Sequence, residues 1–166
     1  MRTRGMNSLF QLFTMNRGHE YIILYFTARK EIVIIGTVKD VFRKPCGAPY
    51  TLNPPYTYEE LGKKILKMVE QVQTLTAQDI PKYPEPYQAA TGIKSWSKFC
   101  RDRSMIGIKW SYTEQCIEFS YWKRSRAAGY TSADNIIQPK ILSFESSPEK
   151  IGSVVEKMME EALLKA

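Results

Sequence analysis

"SMIGIKWSYTEQCIEFSYWK", residues 104–123, alternates along its length. Ile106, Ile108, Trp110 and Tyr112 fall on one side of an extended chain, with Lys109 and Ser111 on the other. The pattern resumes after Thr113 and Glu114, with Ile117, Phe119 and Tyr121 set against Glu118 and Ser120. A period of two marks a strand that buries one face. Two such runs around a short polar turn predict an antiparallel hairpin with one wet side. Lys109 and Glu118 are placed to meet across it.

Upstream, "EYIILYFTARKEIVIIGTVKDVF" (20–42) holds two runs, 20–27 and 31–38, separated by Arg29 and Lys30. Both are nearly continuous in apolar residues. They predict a second hairpin covered on both faces. A further strand is expected over roughly 136–144, with Pro139 setting it at an edge or a bulge. "RKPCGAPYTLNPPY" (43–56) has four prolines and a glycine, and reads as loop.

Helices flank these strands. In "TYEELGKKILKMVEQVQ" (57–73), Thr57 and Glu60 form a capping box, and Leu61, Ile65, Met68 and Val72 recur at helical spacing. "SPEKIGSVVEKMMEEAL" (147–163) starts with Ser147 as cap and Pro148 in the first turn. Its stripe is Ile151, Val154, Val155, Met158, Met159 and Ala162. Each helix carries a glycine one turn in, Gly62 and Gly152, at a cost of about 1 kcal/mol against alanine. Close approach of a strand or of the other helix would account for both. Pro81, Pro84 and Pro86 break the chain between 74 and 86. Short helices are expected at 86–91 and after Ser95, the latter with Trp96 and Phe99 on one side.

Strands and helices mix here without β-α-β alternation. The fold class is therefore α+β: a single domain, with a mainly antiparallel sheet of about five strands and the two long helices on one face. Residues 1–19 read as a lead-in, with a short helix over 7–15, and residues 20–166 as the domain. Met6 is a candidate natural start, which would make Met1–Gly5 an extension.

The 166 residues carry a net charge of +7, which favours an anionic partner. No run approaches the roughly 20 apolar residues of a membrane span, and the start lacks a cleavage site for a signal peptide. Cys46, Cys100 and Cys116 stand far apart with no ligand spacing, as expected of free thiols in a reducing cytoplasm. Cys100 and Cys116 read as core packing. His19 is the only histidine, which excludes paired-His catalysis and zinc sites built on several histidines. No phosphate-binding glycine loop and no GxSxG elbow is present. Glu118 is the one carboxylate on a strand with catalytic appeal, and it lacks a partner other than Lys109. The expectation is a binding module with no catalytic residue, no cofactor and no metal.

"YWKRSRAAGY" (121–130) is the most suggestive local feature, because Tyr121, Trp122 and Tyr130 interleave with Lys123, Arg124 and Arg126. Three readings fit it: base stacking with phosphate neutralisation, a protein-binding hot spot, or a solvated hairpin end.

Lined up, Glu60-Leu61-Gly62, then Gly92-Ile93-Lys94-Ser95-Trp96 with Phe99, then a pair of strands, then Gly129-Tyr130, then Ser147-Pro148-Glu149 with Gly152 resemble the contact-dependent growth inhibition immunity proteins. The resemblance covers roughly 57–163. Lys150-Ile151 stands where that family has Glu-Leu, and the first fifty residues carry no matching motif. The resemblance implies a cytoplasmic bacterial protein, not an enzyme, that binds and neutralises the C-terminal toxin domain, usually a nuclease, of such a system. The matched motifs would be scaffold. Trp122, Lys123, Arg124, Arg126 and Tyr130 are then the expected toxin-binding residues. No membrane or small-molecule partner is expected. A nucleic-acid-binding module using the same loop is the alternative.

Overall fold

The structure, a computed structural model, describes residues 18–39, 43–82, 85–125 and 129–165. Residues 1–17 of the expected 1–19 lead-in and Arg126 lie outside them, and His19 opens β1. The described strands are β1 (His19–Thr27), β2 (Ile32–Lys39), β3 (Arg43–Leu52), β4 (Arg103–Ser111), β5 (Cys116–Ser125), β6 (Gly129–Ser132) and β7 (Lys140–Ser143). They form one antiparallel sheet in the order β3-β2-β1-β4-β5-β6, with β7 also paired to β5. The helices are α1 (Tyr58–Thr74), α2 (Pro86–Thr91), α3 (Trp96–Cys100) and α4 (Pro148–Lys165). A 3-10 turn spans Ala77–Lys82.

The α+β class holds, with seven described strands where about five were expected. Residues 43–52 of the segment read as loop form β3, whose Pro45 and Pro49 sit in an edge strand, where a missing N–H costs no ladder bond, while residues 53–56 with Pro54 and Pro55 lie in no strand or helix. The edge is bulged, the register shifting between Ile34 and Gly36. The last strand is shorter than expected because residues 134–136 turn before Pro139. Gly129–Ser132, where no strand was expected, pairs with the end of β5.

One face of the sheet, here the first, is dry. Ile22, Leu24 and Phe26 of β1, Ile32 and Ile34 of β2, Ile106 and Ile108 of β4, and Ile117 and Phe119 of β5 pack under the apolar stripes of α1 and α4. α1 lies over β1, β2 and β3, and α4 over β5. The capping box forms as expected: Glu60 N donates to Thr57 Oγ1 at 3.1 Å, and Thr57 N to Glu60 Oε2 at 2.8 Å. Lys150 N donates to Ser147 Oγ at 3.1 Å at the start of α4.

The two glycines answer each other. A Cβ on Gly62 would overlap the backbone carbonyl of Pro148, the first residue of α4. A Cβ on Gly152 would overlap the backbone carbonyl of Tyr58, the first residue of α1. Each helix thus seats the other's opening turn in a notch that only glycine leaves. The close approach is helix to helix, not helix to strand.

A charged contact ties α4 to the β1–β2 turn. Lys30, at φ 61°, donates from Nζ to Glu156 at 2.6 Å and Glu160 at 3.2 Å. The Glu156 contact holds the ammonium above its ordinary pKa. The Tyr56 hydroxyl completes the group, 3.3 Å from Glu156 Oε2 and 3.1 Å from the Lys30 carbonyl.

Candidate partner-binding face

The other face of the sheet, the second, divides in two. One half lies under α2 and α3. Tyr25, Val33, Ile35 and Met105 from the strands meet Phe99 and Cys100 from α3 in a separate buried cluster. Tyr25 stands at its centre, with ring centroids 5.0 Å from Phe99, 5.7 Å from Tyr130 and 5.9 Å from Trp96. Trp96 stacks on Phe99 at 5.5 Å, as their helical spacing predicts. The Arg103 guanidinium covers the Phe99 ring at 4.5 Å and donates to the Phe99 carbonyl at 3.0 Å. Each aromatic pair adds about 0.5–1.5 kcal/mol beyond area burial.

The residues singled out in 121–130 do not form one patch. Trp122 and Tyr130 pack against this aromatic cluster. The Tyr130 hydroxyl donates to the Arg103 carbonyl at 3.3 Å, and burial first, then the Cys100 thiol, pushes its pKa up. Arg124 is exposed and lies opposite Tyr130 on the same face. Lys123 is exposed and alternates to the opposite side of β5. The aromatic half of the pattern is therefore built into the scaffold, and two described cations remain at the surface.

The second half of this face has no described helix over it. Strand register lays out a band across it: Tyr21 opposite Lys109, Lys109 opposite Glu118, and Glu118 opposite Ile141. The expected Lys109–Glu118 juxtaposition is thus present. The band's polar side is where the alternation at 104–123 placed a wet surface. Gly107 borders it, and the Tyr21 hydroxyl and Trp122 Nε1 occupy the space a Cβ there would need. Burial pushes the Tyr21 hydroxyl up.

At one end of the band, His19 opens β1 and Lys39 closes β2. A cleft of about 290 Å³ there is lined by His19, Glu20, Lys39, Arg43 and Leu75 among others. Arg43 donates to the His19 carbonyl at 2.8 Å and lies 3.9 Å from the buried Glu20 carboxylate. Burial lowers the His19 pKa, and Arg43, Lys109 and Lys39 lower it further. A second, more apolar cleft of about 340 Å³ lies under α2, between Tyr25, Ile35, Pro45, Tyr87 and Trp96.

Cys46 and Cys100 are buried free thiols. Cys116 is only half-buried, against expectation, because alternation puts it on the side of Glu118 rather than of Ile117. Among the described residues no group of three or more His, Cys, Asp or Glu could hold a metal ion. No described helix is long and apolar enough to cross a membrane.

The band escaped sequence reasoning. Alternation marks Lys109 and Glu118 as polar-side residues, but Tyr21, Lys39 and Ile141 join them only through the register of strands far apart in the chain.

No family model matches the chain, and neither does any curated protein. Two solved structures share its architecture. A Neisseria meningitidis protein of unknown function superposes with a TM-score of 0.64 at 15% identity, over 83% of this chain and 92% of its own. A chain of the CdiA-CT/CdiI toxin and immunity complex from Yersinia pseudotuberculosis superposes with a TM-score of 0.62 at 12% identity, over 86% of this chain and 97% of its own. At these identities the likeness is one of fold.

Proposed function

We propose that this chain is an immunity protein, which binds a toxin domain and neutralises it. The observation that carries the reading is the match in fold, over 86% of this chain, to a chain of a toxin and immunity complex. The motifs that resemble the growth-inhibition immunity proteins give it independent support, since they fall on structural joints. Gly62 and Gly152 make the helix crossing, and Trp96 and Phe99 make the aromatic cap. A scaffold held by such joints leaves the surface free to differ from one toxin to the next.

In this reading the partner is the C-terminal nuclease domain of a contact-dependent growth inhibition toxin. The protein acts in the bacterial cytoplasm by binding alone, without catalysis or a cofactor. The reading predicts a toxin gene immediately upstream, and co-expression with the C-terminal domain of its product tests it. The two should co-purify as a stable complex, and failure to do so would sink the reading.

Nucleic acid is the rival partner. Packing of Trp122 and Tyr130 into the aromatic cluster weakens that case, because base stacking needs free ring faces. RNA or DNA binding that falls steeply with salt would revive it.

A further inference from the structure

We propose that the open band on the second face (Lys39, His19, Tyr21, Lys109, Glu118 and Ile141) is the docking surface for the toxin, and that it takes an acidic protein surface with an apolar anchor point. This inference rests on the immunity reading. It departs from the 121–130 segment as the contact site.

Three observations converge on the band. Among the described residues the cover is asymmetric: α1 and α4, with Ala133 and Ile137, close the first face, and α2 and α3 stop short on the second. Next, Ile141 is 64% exposed at one end of the band, opposite Glu118 in register. A partner seated there would remove its apolar surface from water. The third observation is charge. Lys39 and Lys109 lie with Arg43 around His19, near enough for all three cations to oppose its protonation. Glu20 lies 3.9 Å from Arg43 and Glu118 lies opposite Lys109, which leaves the exposed Lys39 as the excess charge at the cleft end of the band, where an acidic group of a partner would complement it.

The same details favour protein over nucleic acid. Glu118 sits in the middle of the band opposite Lys109, so the band presents both signs of charge, which a protein surface can match by setting a cation against Glu118 and a uniform phosphate backbone cannot. The Tyr21 hydroxyl is tucked over Gly107, and its ring is half-buried, not free on both faces for stacking.

Binding of the upstream-encoded toxin domain to charge-matched variants tests the surface. Lys39→Glu with Lys109→Gln should weaken association about tenfold or more, mainly through the on-rate at low salt. Lys67→Glu with Lys157→Gln changes the net charge equally on exposed helix positions elsewhere. That pair should leave affinity within about twofold. Ile141→Ser, at a position too exposed to matter for folding, should weaken binding several-fold through the off-rate. Thermal unfolding of each variant confirms that the fold is intact.

Full affinity in the Lys39/Lys109 variant, or equal loss in both charge-matched variants, overturns the docking surface and leaves the immunity reading standing. No binding by the wild-type chain overturns both. Competition between a short single-stranded RNA and the toxin, lost in the Lys39/Lys109 variant, overturns the inference in favour of nucleic acid.

Discussion

The two faces of the sheet are built from similar strands and finished differently. The first face is closed by two long helices that interlock through a pair of glycines, and its buried core is mainly aliphatic, with Phe26, Phe119 and Tyr121 among it. The second is closed over half its extent by two short helices, whose hold is an aromatic cluster around Tyr25. Short helices contribute little hydrogen bonding of their own, so α2 and α3 depend on the rings beneath them. The first face is a foundation. The second combines a local cap with a stretch that no described helix covers.

Removing one ring from each face tests that contrast most severely. Phe119 and Phe99 are both fully buried. Phe119→Ala should cost about 4 kcal/mol of global stability, as buried Phe truncations do. Phe99→Ala should cost about 3 kcal/mol, with its loss of amide protection concentrated in residues 86–100. Hydrogen exchange separates the two outcomes. Equal loss of protection in α1 and α4 from both variants would break the distinction between foundation and cap.

A smaller effect is expected at the glycine crossing. Gly62→Ala places a methyl group against backbone that no rotamer change can move, and should cost about 2–3 kcal/mol. For a chain of this length the corresponding fall in Tm is roughly 4–12 °C. Gly92 has φ +73° with no atom near its missing Cβ, so Gly92→Ala meets backbone strain alone, about 1 kcal/mol. A Gly62→Ala protein as stable as wild type would mean that the helices do not meet as described.

The smallest effect belongs to the open half. The folded state lowers the His19 pKa below 6.5 through burial and then through Arg43, Lys109 and Lys39. As pH falls through 6.5 the unfolded chain takes up the proton first. Folding stability should therefore drop between pH 6.5 and the lowered value, and level off below it. His19→Gln should flatten that part of the pH profile, seen in urea titrations at several pH values. An unchanged profile would remove the cation crowding from the account.

Much of the foundation was legible in the sequence because its signals are local. The Thr57–Glu60 box, the two helical stripes, the hairpin at 104–123 and the double coverage of 20–38 each lie within one short window. β3 was hidden because proline content argues for loop, and only its place at the sheet edge removes the objection. The candidate face was hidden for another reason. It gathers Lys39, Lys109 and Ile141 from three strands, and register is a property of pairing, not of any single segment. Composition at 121–130 singled out Trp122 and Tyr130, which serve the cap of the second face. Alternation alone could have shown that Trp122 lies on the opposite side from Tyr121.

Growth rescue tests the central claim most directly. Cells induced to make the upstream-encoded toxin domain should stop growing, and those that also make this chain should grow at the uninduced rate. Continued arrest with the chain present and folded would contradict its assignment as the immunity protein.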